Sequence, residues 1–171
     1  ILIESVVGTS GVLIPPKGYL EGVRRLCDKY GILWIADEVM SGFGRTGKWF
    51  AYQHSTAHPD LIVFAKGVNS GYVPLGGVVI SKEIAETFKD RVFPGGLTYS
   101  GHPLACAAAV ATIDVMKDEK IVEAAAQMFQ GYGPRPAPPL AESFHGQRRS
   151  DAGGSCTAIS CESCGYVYNS L

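Results

Sequence analysis

The chain has 171 residues, with 15 Lys and Arg against 16 Asp and Glu, a net charge of -1, and 46% hydrophobic residues. That length supports one core burying roughly 70% of the unfolded surface, and the near-zero charge removes the case for a nucleic-acid or acidic-surface binder. The apolar content excludes a disordered chain, and no apolar run approaches the roughly 18 residues a membrane-spanning helix needs.

Ile1-Leu-Ile-Glu4 reads as a short strand ending in an acid. No strand, helix, linker or signal-peptide pattern precedes it, so a fragment of a longer protein is expected. A Gly-rich loop and Pro15-Pro16 follow. Tyr19, Leu20, Val23, Leu26, Cys27 and Tyr30 then recur at helical spacing. Gly31 stands where a helix C-cap belongs. Ile32 to Ala36 is a continuous apolar strand closed by Asp37-Glu38, and Leu61 to Ala65 is another closed by Lys66. Gly76 to Ile80 is a third. A short helix is expected over 82–90, a longer one from Pro103 to about Met116, and an amphipathic start over 121–127. Apolar strands alternating with helices predict an α/β fold, a mostly parallel sheet flanked by helices on both faces.

After about residue 130 the periodicity stops. Gly131-Tyr-Gly-Pro-Arg-Pro-Ala-Pro-Pro139 opens a segment without lysine, and three of the five cysteines crowd into it. Residues 131–171 are expected to be a separate, disordered tail. Cys156, Cys161 and Cys164 show no evident fourth ligand and read as thiols without metal. Cys27 and Cys106 read as small buried hydrophobes. The odd count, without framework spacing, places the body in the cytoplasm. His54, His58 and His102 read as structural.

Two residues sit where chemistry would be. Asp37 and Lys66 close two strands, and in parallel α/β sheets ligands bind outside the carboxyl ends of the strands. Gly42-Phe-Gly-Arg-Thr-Gly47 is a literal G-x-G-x-x-G. It does not follow its strand at once and opens no helix, and no acid closes the next strand, so a nicotinamide site is not expected.

The run Ile35-Ala-Asp-Glu-Val-Met-Ser-Gly-Phe-Gly-Arg-Thr-Gly47, with Pro59-Asp-Leu-Ile-Val-Phe-Ala-Lys-Gly-Val-Asn-Ser-Gly71, resembles the class III aminotransferases, pyridoxal-phosphate enzymes of fold type I. Gly11 to Tyr19, Tyr72 to Gly77 and Thr98 to Pro103 extend the likeness over about 1–126. The resemblance implies that residues 1–130 are part of the large, pyridoxal-phosphate-binding domain. It also implies a homodimer and transfer of an amino group from an amine or ω-amino acid to a keto acid. Residue by residue, Lys66 matches the lysine that forms the Schiff base. Asp37 matches the acid paired with the pyridine nitrogen, and Val39 the side chain packed on the ring. Thr98 matches the threonine that reaches the phosphate bound in the neighbouring subunit. Lys66 would then serve as anchor and proton carrier.

The sequence also departs from the family. The phosphate loop, the stacking aromatic and the C-terminal domain that carries a carboxylate-binding arginine are missing. Glu4 matches a glutamate that pairs with that arginine. Met40 stands where the ornithine and γ-aminobutyrate branch has glutamine, which favours the ω-transaminase branch over an aminomutase or a diamine-forming transaminase. A non-catalytic truncated product is the rival reading for the chain as it stands, and a frameshift is the reading for the tail.

Overall fold

The computed structural model describes residues 1–9, 11–130 and 166–168. Its elements in chain order are β1 (Leu2–Glu4), α1 (Tyr19–Tyr30), β2 (Ile35–Asp37), β3 (Leu61–Phe64), β4 (Gly76–Ile80), α2 (Lys82–Glu86), α3 (Pro103–Asp118), α4 (Ile121–Gln130) and β5 (Tyr166–Tyr168). The sheet order is β1-β2-β3-β4-β5. All pairs are parallel except β3 with β4.

α1 forms because Leu20, Val23 and Cys27 fall on one face, where all three are buried. Gly31 ends it at φ 62°, with its amide donating to the Cys27 carbonyl. A side chain there would be strained, which is why glycine fits. The buried face meets Trp34, Ala36 and Ala57, with Ile3 and Tyr52 packed alongside. The Asp60 carboxylate holds this layer to the sheet. Its Oδ2 accepts from the Trp34 amide at 2.7 Å and from Arg24 Nη1 at 2.8 Å. That hydrogen bond raises the already high pKa of Arg24.

Three elements differ from expectation. The strand expected over 32–36 pairs only from Ile35. The Ile32 amide is spent on the Cys27 carbonyl at 2.9 Å, closing the helix instead of joining the ladder. β4 runs antiparallel to β3 because residues 65–75 return through a 3-10 turn and a loop, with no crossover helix to restore the direction. α2 stops at Glu86, and turns replace helix from there to residue 90.

The flanking is also uneven. α1 covers one face, whereas Ile35, Leu61, Val63, Val78 and Ile80 line a groove of about 860 Å³ on the other, bounded by Ile84, Ala85 and Phe88. Within the segment expected to lack regular structure, Tyr166–Tyr168 pair with β4. Tyr-Val-Tyr is aromatic and β-branched, and it meets the open backbone edge of β4. The three tail cysteines and the Pro-rich stretch lie outside the described residues. Among the described residues no helix is long and apolar enough to cross a membrane, and Cys27 and Cys106 are free thiols.

Candidate active site

The strand register lines up the chemistry. Glu4 pairs with Asp37 across β1 and β2, and Asp37 pairs with Val63 across β2 and β3. Lys66 follows three residues after Val63. Glu4, Asp37 and Lys66 therefore stand at the carboxyl ends of three adjacent parallel strands, the edge at which this class of sheet binds ligands.

Asp37 is half-buried, and its Oδ1 accepts from the Val39 amide at 3.0 Å. Among the described residues no cation pairs with it. Val39 is also half-buried. Glu4 turns back on its own loop, accepting from the Gly8 amide at 2.8 Å. Met40 lies against Gly8, where an added Cβ would come within 2.9 Å of the Met40 Cβ.

Lys66 is exposed and begins a 3-10 turn, Lys66–Val68, directly beyond β3. Its φ is +28°, a conformation that costs a non-glycine residue about 1–3 kcal/mol. The surroundings hold it there. The Val68 amide donates to the Ala65 carbonyl at 3.0 Å. Buried Asn69 donates to the Val73 carbonyl and accepts from the Gly71 amide. Gly67 backs onto Phe43, whose ring stands edge-on to Phe50 and Phe64 at 5.5 Å each. Lys66 lines a cavity of about 470 Å³ with Phe43, Arg45, Ser70, Met116 and Ile121. Neither Asp37 nor Val39 lines that cavity. Thr98 is exposed in the loop before α3 and does not line that cavity either.

The Gly42–Gly47 run is a series of turns, and its glycines have a packing reason. A Cβ on Gly42 would lie 2.7 Å from the Glu38 carbonyl oxygen, and one on Gly47 2.8 Å from the Ala126 Cα. The spacing serves close approach to Glu38, just beyond β2, and to α4. His54 bonds to the Thr46 carbonyl and hydroxyl, His58 stands edge-on to Tyr52, and His102 precedes α3.

Sequence reasoning passed over Glu38, which is fully buried. Its Oε1 accepts from Ser5 Oγ at 2.6 Å and the Tyr52 amide at 2.8 Å. Its Oε2 accepts from Ser41 Oγ at 2.7 Å and the Ala51 amide at 2.8 Å. The Tyr52 phenol is pushed above its ordinary value, chiefly by burial and secondarily by the Glu38 charge. The available signal was an acid directly after an apolar strand, with small hydroxyl residues at Ser5 and Ser41.

A family model described as aminotransferase class-III matches residues 1–131. The chain is 49% identical over 121 residues to a putrescine–pyruvate aminotransferase of Pseudomonas aeruginosa, covering 70% of this chain and 26% of that protein. It superposes with a TM-score of 0.70 on taurine:2-oxoglutarate aminotransferase from Bifidobacterium kashiwanohense, solved with pyridoxal phosphate and glutamate. That match has 61% identity and covers 71% of this chain and 27% of that one. An (S)-enantioselective ω-transaminase from Thermomicrobium roseum matches with a TM-score of 0.68 and 52% identity, covering 71% of this chain and 28% of that one. The chain thus spans about a quarter of the length of these relatives.

Proposed function

The chain belongs to the class-III aminotransferase family, and from that premise we propose that residues 1–130 are the cofactor-binding portion of a pyridoxal-phosphate-dependent ω-transaminase. Lys66 carries the cofactor, Asp37 and Val39 flank its ring, and Thr98 reaches the phosphate bound in the second subunit of a homodimer. The observation that carries the reading is the register placing Asp37 and Lys66 at the carboxyl ends of neighbouring parallel strands.

The residues fit that group. Asp37 keeps Oδ2 without a partner among the described residues, suited to a protonated ring nitrogen. Lys66 is exposed and makes no ion pair among the described residues. When bound, pyridoxal phosphate supplies an electron sink for negative charge on the carbon bearing the amine. Asp37 sustains that sink by charge pairing, which favours the protonated ring. Lys66 Nζ takes up a proton when neutral and returns it when charged, so one amine serves as base and then acid. Val39 offers an apolar contact that excludes water. The Thr98 hydroxyl is a donor for a phosphate oxygen, and two-fold symmetry would complete both sites by one contact.

The donor class we propose is a primary amine at the end of a short chain, with a keto acid as acceptor. Support comes from the substrates named for the relatives, putrescine with pyruvate and taurine with 2-oxoglutarate. The free thiols Cys27 and Cys106 support a cytoplasmic setting. The family match ends at residue 131, which supports a boundary there. The 171-residue chain is proposed not to turn over alone, because it spans about a quarter of its relatives. The test is to assay the chain and a full-length version with putrescine or taurine and each keto acid. Amino transfer by the full-length dimer alone supports the reading, and a full-length protein inert with every pair refutes it.

A further inference from the structure

We propose that Glu38 is a positioning residue for Asp37 and Val39, its two neighbours in the chain. The inference rests on the reading that these two flank the cofactor, but its geometry stands apart from any cofactor. Every polar atom of Glu38 is engaged. Its amide donates to the Val63 carbonyl at 2.8 Å, and its carbonyl accepts from the Gly42 amide at 2.9 Å. Its carboxylate takes four donors, two per oxygen, from Ser5, Ser41, Ala51 and Tyr52. One residue thereby ties Ser5 just past β1, Val63 within β3, the turn at Ser41–Gly42 and the 3-10 turn Ala51–His54 to a single point. A residue pinned at both backbone groups and at its head fixes the backbone directions of the residues on either side. Asp37 then has its Oδ1 on the Val39 amide as a consequence.

The site demands a carboxylate. Each oxygen faces one hydroxyl and one backbone amide. A hydroxyl can turn to accept, but a backbone N–H cannot. Glutamine, in either flip, would set its NH2 against an amide donor, either Tyr52 or Ala51. Aspartate is shorter by one methylene and cannot span donors that come from both sides. No lysine or arginine pairs with Glu38 among the described residues, so neutral dipoles alone hold this buried acid.

The experiment is amide hydrogen exchange, read residue by residue by NMR, on the 171-residue chain and its Glu38→Gln variant without cofactor. The expected result is exchange roughly ten- to hundredfold faster at Val39 as well as at Ala51 and Tyr52, with the α1 amides unchanged. Faster exchange at Ala51 and Tyr52 with Val39 unchanged would overturn the proposal, because Glu38 would then only buttress the 3-10 turn. If Glu38→Gln unfolds throughout, the double variant Ser5→Ala with Ser41→Ala, which keeps both amide donors, is measured by the same criterion. A second arm adds pyridoxal phosphate and follows the absorbance band against pH. Glu38→Gln should move the band's transition toward that of Asp37→Asn, a shift that loss of stability alone does not produce. A wild-type chain and full-length protein that both lack the band would refute the cofactor reading and leave the Val39 result to decide the role of Glu38.

Discussion

Gly67→Ala tests the packing that holds the candidate lysine. The φ of Gly67 lies outside the left-handed region, so alanine meets a steric problem and no backbone one. Its Cβ would lie 2.7 Å from the Phe43 Cβ and 3.3 Å from the Phe43 Cγ. Rotating the Phe43 ring gives no relief, since a Cβ moves only with its backbone. That backbone is held at φ 56° and donates its amide to the Trp49 carbonyl. Overpacking costs about 1–3 kcal/mol, and disturbing one edge-on ring pair adds about 0.5–1.5 kcal/mol. Reduced freedom of the unfolded chain returns about 0.4–1 kcal/mol. The net loss is about 1–3.5 kcal/mol, or roughly 2–14 °C in Tm for a chain of this size. Thermal and urea unfolding of the chain followed by circular dichroism read it directly. Paired variants sharpen the test. Phe43→Gly removes the obstructing Cβ and should offset Gly67→Ala with a coupling of about 1 kcal/mol or more, while Phe43→Ala keeps the Cβ and should add to it. Gly67→Ala within about 0.5 kcal/mol of wild type, or equal coupling to both Phe43 variants, would refute the reasoning.

Asp37→Asn should slow amino transfer in the full-length protein by several orders of magnitude, each tenfold being ~1.4 kcal/mol, and near-normal steady-state rates would exclude the charge-pairing role. Asp60→Ala leaves the Trp34 amide and Arg24 without their shared acceptor, and chemical denaturation should show a loss of about 1–3 kcal/mol. Tyr52 carries a raised pKa from burial and the Glu38 charge. The unfolded phenol ionises first, so stability is full below the ordinary value of 10.0 and falls as pH rises above it. Tyr52→Phe should flatten that alkaline loss in denaturant titrations at successive pH values, and an unchanged slope would show that another group causes it.

The local elements were legible where one short stretch carried the whole signal. Leu20, Val23 and Cys27 announce α1, Gly31 its end and Pro103 the start of α3. Asp37 and Lys66 were legible as strand ends, and the register set them on neighbouring strands. What depended on distant partners was not legible. The direction of β4 follows from how residues 65–75 fold back, and the first pairing residue of β2 follows from where the Ile32 amide is spent. Glu38 and Asp37 read alike as adjacent acids. Only the alternation of burial over Ile35–Glu38, with donors at Ser5, Ser41, Ala51 and Tyr52, decides which is buried and saturated and which keeps an oxygen without a partner among the described residues. The flanking by helices was legible too, with α1 on one face and α2 beside the groove on the other, but how little of the second face the short α2 covers was not.

The measurement that bears most directly on the central claim is the identity of the lysine that takes the cofactor. The chain is incubated with excess pyridoxal phosphate, reduced with borohydride, digested and mapped by mass spectrometry. The pyridoxyl mass should fall on the peptide containing Lys66 and vanish from that peptide in Lys66→Ala. Labelling of Lys17, Lys48 or Lys82 with Lys66 unmodified would contradict the assignment.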